Sequence, residues 1–144
     1  MRARLRVLLP LVTMFVAWCV QSTWSFTTEQ ASAGRTAYEQ NCATCHGATL
    51  RQLPDALLAG REFAAKWGSR TTDELVAQMR STMPPGNPGG LPEATYVAIA
   101  AYVLQVNGGG TDGQALTAVT ATRISEAMAA RGTPVSALSE VGPL

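Results

Sequence analysis

The residues best suited to chemistry lie within five positions of one another, at Cys42, Cys45 and His46. The chain has 144 residues but only three cysteines and one histidine, and the third cysteine, Cys19, lies in an apolar N-terminal run. Two thiols three positions apart, next to an imidazole, are suited to cofactor attachment, metal binding or thiol–disulfide exchange. The same counts argue against a His-rich metal site, a Ser-His-Asp triad with a further histidine to spare, or a scaffold with several disulfides.

Residues 42–46 read Cys-Ala-Thr-Cys-His, which is the signature of c-type haem attachment. Thiols at this spacing can form thioether bonds with the two vinyl groups on one edge of a porphyrin. The imidazole of His46 then lies under the iron as the proximal ligand, and its second ring nitrogen donates to a backbone carbonyl. We therefore predict one covalently bound haem c, with its iron, attached at Cys42 and Cys45.

Other interpretations of the motif have less support. A zinc ribbon needs four ligands, and the sequence contains no second pair of cysteines or histidines. A thioredoxin-like pair opens a helix after a strand, whereas a helical segment precedes Cys42 here. A structural disulfide would close a small, strained ring. Thiol–disulfide exchange through Cys42 and Cys45 stays open as an alternative of a different class.

The iron needs a second axial ligand or keeps an open position, and after His46 no other histidine is available. The candidates are Met79, Met83 and Met128, with Lys66 as a more distant option. Met79 has the helical spacing of a core residue. Met83 begins a stiff proline-rich loop, and Pro84 favours an extended backbone at Met83. We predict iron ligation by His46 and Met83, a pair that favours electron transfer over catalysis.

The first 25 residues are predicted to be a secretory signal peptide. Three arginines precede an apolar run of 14 residues, Val7 to Val20, and polar residues follow it. The run is short for a membrane-spanning helix, which needs about 20 residues, so an uncleaved anchor is the second interpretation. Cleavage after Ser25 would remove Cys19 and leave eight basic and ten acidic residues, a formal charge of −2. This predicts a periplasmic protein that contacts a membrane only if the leader is retained.

The elements that position these residues are predicted to be helices. One helix is predicted over Thr28–Asn41 and another over Pro92–Val106. Between them, a capping signal at residues 71–74 predicts a helix that runs to about Arg80. No alternating strands or repeats occur, so the fold class is all-α. About 80 residues make a marginal apolar core, and a buried porphyrin would complete it, so the chain without haem is expected to unfold.

The domain boundaries follow from these elements. Residues 26–108 are assigned to the haem domain, and 109–144 to a Gly-rich linker and C-terminal tail that we expect to be frayed. Only 15% of residues are charged, the formal charge of the whole chain is +1, and no run of Lys or Arg occurs. These properties argue against a nucleic-acid partner.

The chain resembles class I c-type cytochromes over about residues 30–108. The resemblance rests first on the attachment motif, Cys42 to Gly47, and on Met83-Pro84. Gly34 and Tyr38 on the N-terminal side and residues 101–104 on the C-terminal side also match. The chain is similar in particular to single-haem cytochromes that accompany bacterial quinoprotein alcohol dehydrogenases. The segments that carry this similarity are residues 60–67, 83–86 and 106–108. The resemblance implies a small cytochrome c-like fold of helices and loops wrapped around one covalently bound haem.

The resemblance also implies specific contacts. The N- and C-terminal helices should cross, with Gly34 and Tyr38 against Tyr102. The Pro54 carbonyl should accept the His46 N–H, and Trp67 should reach a haem propionate. The apolar side chains Leu57, Leu58 and Phe63 are expected either in the walls of the haem pocket or in the ordinary core.

These expectations combine into an exported electron carrier that is not an enzyme. Its redox partners would be a periplasmic dehydrogenase as electron donor and a downstream cytochrome or terminal oxidase as acceptor. One alternative is a cytochrome subunit permanently bound to a quinoprotein dehydrogenase. A peroxidase-like enzyme has less support, because it would need a distal His or Arg and the chain has no second histidine.

Overall fold

The computed structural model describes residues 26–111 and 113–129, so the predicted signal peptide lies outside the described residues. Within these residues the chain forms α-helices and one short 3-10 helix, and it has isolated bridges, such as Thr71 with Arg123, but no strand. The predicted all-α fold is confirmed. No helix in these two ranges is both long and apolar enough to cross a bilayer. The helices are α1 (Thr28–Asn41), α2 (Ala43–His46), the 3-10 helix (Pro54–Ala56), α3 (Arg61–Trp67), α4 (Thr72–Thr82), α5 (Glu93–Val106) and α6 (Ile124–Ala129).

Two helices begin at capping boxes. At α1, the Thr27 side chain accepts from the backbone N–H of Gln30, and the Gln30 side chain accepts from the backbone of Thr27. At α4, Thr71 and Glu74 make the same reciprocal pair. Each box satisfies two backbone donors that a helix start leaves without partners. The predicted start of α4 is therefore confirmed.

The helices α1 and α5 pack directly against each other at Gly34. A Cβ atom added to Gly34 would lie 1.8 Å from the carbonyl oxygen of Ala98 and 3.0 Å from the Tyr102 Cβ. Beside this contact, the rings of Tyr38 and Tyr102 have centroids 5.5 Å apart. The predicted arrangement of Gly34 and Tyr38 against Tyr102 is confirmed. Helix α5 lies at the centre of the core, as its nearly all-apolar sequence predicts, with buried Tyr96, Val97, Ile99, Ala100, Ala101, Val103 and Leu104.

The Gly34→Ala substitution is expected to destabilise the domain. Its methyl group would overlap a backbone oxygen, so one of the two helices has to move, at a cost of about 1–3 kcal/mol or more. Urea unfolding of the haem-loaded protein measures the loss. Gly86→Ala is the matched control, because no heavy atom lies within 4 Å of the added Cβ. Equal unfolding midpoints for the two variants would contradict the tight contact of α1 with α5.

Residues 113–129 pack against the domain, which differs from the linker and frayed tail expected over 109–144. Leu116, Ile124 and Ala127 are buried in the common core. Helix α6 contacts α3 and α5. Val119 of the same segment points into solvent, with 84% of its surface exposed. The segment packs because its backbone forms hydrogen bonds with distant parts of the chain. The residue pattern of the segment itself does not indicate these partners.

Candidate functional site

One cavity contains all four residues predicted to hold the cofactor. It has a volume of about 370 Å³, and Cys42, Cys45, His46 and Met83 line it together. This volume lies within the range of about 300–1,000 Å³ that small-molecule and cofactor sites occupy. The wall is mainly apolar, and Lys66 is its one charged side chain among the described residues. Its other residues are Tyr38, Asn41, Leu53, Ala56, Leu57, Leu58, Trp67, Leu75, Gln78, Met79, Thr82, Pro84, Pro85, Leu91, Tyr96 and Ile99.

A single helical turn places the two thiols and the imidazole at the cavity. Helix α1 ends at Asn41, and Cys42 then caps the short helix α2, with its carbonyl accepting from the backbone N–H of His46 at 2.9 Å. Positions i, i+3 and i+4 share one face of a helix, so this turn brings Cys42, Cys45 and His46 to one side. Both cysteines are free, Cys42 half-buried and Cys45 exposed. Burial raises the pKa of the Cys42 thiol, which keeps it neutral at ordinary pH.

The buried ring of His46 is oriented by the 3-10 helix. Its Nδ1 lies 3.2 Å from the carbonyl oxygen of Ala56. Because a carbonyl only accepts, Nδ1 carries the hydrogen and Nε2 keeps a free lone pair. The expected acceptor, the Pro54 carbonyl, is therefore wrong. Pro54 begins the 3-10 helix and Ala56 ends it, so this turn presents the carbonyl two residues later than the family pattern implies.

Tyr38 fixes the chain directly after His46. Its hydroxyl donates to the carbonyl oxygen of Gly47 at 2.7 Å inside the core. Gly47 has φ of +75°, a conformation that L side chains adopt with strain. Burial raises the pKa of Tyr38, so its hydroxyl stays protonated and can donate. A tyrosine predicted only as a helix-packing residue thus also anchors the motif.

Met83 enters the cavity from the end of α4 in an extended conformation. Its backbone has φ −125° and ψ 148°, as expected for a residue before proline. The hydroxyl of Tyr96 on α5 donates to the Met83 carbonyl at 2.7 Å and fixes this position. Among the other predicted candidates, Met79 and Lys66 line the same cavity, whereas Met128 lines a separate groove beside α6.

The Tyr96→Phe substitution is expected to loosen the chain at Met83. It removes one hydroxyl and leaves the Met83 carbonyl without this donor, which costs about 1 kcal/mol of stability. Urea unfolding compared with Tyr102→Phe tests this, since the Tyr102 hydroxyl has no hydrogen-bond partner within the described residues. A Tyr96→Phe variant as stable as Tyr102→Phe would show that this hydrogen bond does not support the loop.

The side chain of Asn107, directly after α5, holds the part of the cavity wall at Leu58. Its side-chain amide donates to the carbonyls of Leu58 and Val103, at 2.9 and 2.8 Å, and accepts from the Gly60 N–H at 2.9 Å. These contacts tie the end of α5 to the loop before α3. Leu58 therefore lines the cavity, one of its two expected places, and so does Leu57.

Two aromatic residues of α3 have different positions. Phe63 is fully buried in the core and does not line the cavity, so the core is the correct one of its two expected places. Trp67 does line the cavity, and the guanidinium of Arg70 lies 5.0 Å from its ring centroid. This cation–π contact orients the indole from the solvent side.

The comparison with protein families decides what this arrangement is. A family model described as "Cytochrome C oxidase, cbb3-type, subunit III" matches residues 29–103, just over half of the chain. The chain belongs to this family of c-type cytochromes. No curated protein and no solved structure matches it. The match covers the helices α1 to α5 almost completely and stops before the packed segment 113–129.

This cytochrome has the covalently bound haem c and iron of its family, and its residues fit that group. Two free thiols, an imidazole with an available nitrogen and a thioether sulfur converge on one apolar cavity. The described residues contain no cluster of three or more His, Cys, Asp or Glu that could hold a bare metal ion. Iron held within a porphyrin needs no such cluster. The domain is therefore that of a single-haem electron-transfer protein.

Proposed function

We propose that the protein is an exported, single-haem electron carrier whose haem is attached at Cys42 and Cys45 and whose iron is held by His46 and Met83. The observation behind this proposal is that these four side chains line one apolar cavity. When bound, the haem supplies a one-electron Fe(III)/Fe(II) couple. The chain supplies its attachment, its axial ligands and a largely apolar surrounding.

Each ligand is supported by a neighbour that fixes its geometry. The Ala56 carbonyl accepts from His46 Nδ1 and selects the tautomer that leaves Nε2 for iron. The Tyr96 hydroxyl fixes the backbone of Met83 on the other side. If His46 and Met83 both held the iron, water and oxygen would lack an open coordination site. This arrangement favours electron transfer and a raised reduction potential.

The proposed partners are other redox proteins. We propose a periplasmic dehydrogenase as donor and a downstream cytochrome or terminal oxidase as acceptor, with residues 1–25 directing export. The matched family description names an oxidase, which supports the acceptor side. The motifs outside the haem attachment site support a quinoprotein alcohol dehydrogenase as donor. A subunit permanently bound to such a dehydrogenase would use the same site.

Intact mass and a reduced absorption spectrum test the proposal. The full chain is produced in cells that export it and have haem-attachment machinery. We expect the mass of the processed chain plus one haem, and a reduced spectrum typical of six-coordinate haem c. A chain with free thiols and no haem would overturn the proposal and support thiol–disulfide exchange instead. A haem-loaded protein whose reduced form rapidly binds carbon monoxide would indicate an open iron site and an enzyme.

A further inference from the structure

Residues 113–129 follow the part of the chain that the family model matches. They nevertheless form hydrogen bonds with the domain at two places that lie far apart in the sequence. One attachment is at the start of α1, and the other is at the start of α4. We refer to residues 113–129 as the C-terminal clasp. Its two attachments join the helix that leads to Cys42 with the helix that leads to Met83.

The first attachment uses the side chain of Gln30. Its amide nitrogen donates to the carbonyl oxygen of Leu116 at 2.7 Å, and its amide oxygen accepts from the Leu116 N–H at 2.8 Å. The same oxygen accepts from the Thr27 N–H in the capping box at 3.4 Å. Gln30 therefore holds both the start of α1 and the backbone of the clasp, and the buried side chain of Leu116 completes the contact.

The second attachment surrounds Thr72, the first residue of α4, which is 1% exposed. Its hydroxyl donates to the Thr120 carbonyl and accepts from the Thr122 N–H at 3.3 Å. Its own backbone N–H donates to the Thr122 carbonyl at 2.9 Å. All three bonds join the N-terminus of α4 to the clasp.

The clasp continues alongside the turn between α3 and α4. The Ile124 N–H donates to the Arg70 carbonyl at 2.8 Å, and the Ser125 N–H donates to the Gly68 carbonyl at 3.1 Å. The side chain of Ile124 is fully buried. The clasp therefore holds this turn by a ladder of backbone hydrogen bonds and by an apolar anchor.

Apart from the clasp, helix α4 is held by the burial of Leu75 and Val76 in the core. Its main helical neighbour is α5, and the ion pair of Arg80 with Glu93 that joins the two helices is exposed and so contributes little. One side of α4 lines the cavity through Leu75, Gln78 and Met79, and its end leads into Met83. A short helix moves as a unit, so displacement at its N-terminus displaces Met83.

We infer that the C-terminal clasp is a positioning element, and that Gln30 and Thr72 are positioning residues that act through Met83. The clasp limits how far α4 moves away from the cavity and so keeps the Met83 sulfur at the iron. This inference rests on the proposed function, because it requires Met83 to be the axial ligand. It assigns a role to a part of the chain outside the family match.

Competition by exogenous imidazole tests the inference on the haem-loaded full chain. Imidazole binds the oxidised iron only when Met83 has left it, so its apparent affinity increases with the population of that open state. Thr72→Val keeps the side-chain shape and removes the hydroxyl, and we expect imidazole affinity to rise about fivefold to tenfold. Thr72→Ser restores the hydroxyl and should return the affinity to within about twofold of the original value.

A core variant separates the role of the clasp from general destabilisation. Val103→Ala removes volume from the buried face of α5 without altering the clasp or the lining of the cavity. We expect it to lower the urea midpoint while leaving imidazole affinity nearly unchanged. A Val103→Ala variant that raises imidazole affinity as much as Thr72→Val would overturn the inference.

A second variant covers the case in which Thr72→Val does not fold. Gln30→Glu keeps both contacts in which the side-chain oxygen accepts, but it replaces the donor that faces the Leu116 carbonyl. We expect this variant also to raise imidazole affinity, and unchanged affinity would count against the clasp.

Met83→Ala distinguishes failure of the inference from failure of the proposed function. If Met83→Ala raises imidazole affinity and the clasp variants do not, only the inference fails. If Met83→Ala leaves the affinity and the absorption spectrum unchanged, Met83 is not the ligand and the inference fails together with that part of the proposed function.

Discussion

Replacement of both Cys42 and Cys45 by serine is expected to yield a chain with no covalent haem and no stable fold. The side chains around the site pack against the cofactor, so its loss leaves the cavity of about 370 Å³ without its contents. The apolar side chains that line the cavity would then face water in place of the porphyrin and lose their packing contacts. A typical domain is stable by only about 5–15 kcal/mol, so we expect the loss of this packing to unfold the chain.

Mass spectrometry and circular dichroism check this prediction. We expect the double variant to have the mass of the chain alone and to show a loss of helical signal without a cooperative thermal transition. The matched control is Met83→Ala, which keeps both thiols and should keep the haem. A double variant that retains a cooperative transition near that of the haem-loaded protein would show that the core of α1 and α5 is sufficient by itself.

Met83→Ala is expected to lower the reduction potential and to open the iron. Loss of the thioether removes a ligand that favours the reduced state, and axial ligands set haem potentials over a range of about 0.8 V. We expect a decrease on the order of 0.1 V, new binding of carbon monoxide by the reduced protein, and a changed absorption spectrum.

The control for this substitution is Met79→Ala. Met79 also lines the cavity and also loses its thioether in this variant, but it lies within α4 and not at its end. We expect its potential and spectrum to stay close to those of the unmodified protein. Should Met79→Ala open the iron while Met83→Ala does not, the assignment of the two methionines would be reversed.

Much of the fold and of the site could be predicted because it depends on neighbouring residues. The capping box of Thr71 and Glu74, the extended backbone before Pro84 and the single turn that groups Cys42, Cys45 and His46 are all local. Their geometry follows from backbone sterics and from hydrogen bonds across three or four positions. The apolar sequence of α5 likewise indicated a buried helix, since it has few polar positions for a solvent-facing side.

Contacts between distant residues could not be predicted in this way. His46 donates to Ala56 and not to Pro54 because of how the 3-10 helix presents its carbonyls. The side chain of Asn107, directly after α5, donates to the carbonyl of Leu58, 49 positions earlier in the chain. Nothing in the local pattern at either site specifies its partner.

The amino-acid sequence by itself determined the cofactor chemistry and the helical elements of this protein. The two cysteines and the one histidine that follow the predicted leader form one motif whose spacing matches a porphyrin edge, and helix caps and prolines act over a few residues. Only the tertiary structure decided that residues 113–129 belong to the domain. Their anchors, Gln30 and Thr72, lie 86 and 48 positions from the residues they bind, Leu116 and Thr120. Such pairings form only when the whole chain packs, because each hydrogen bond needs both partners already held in place.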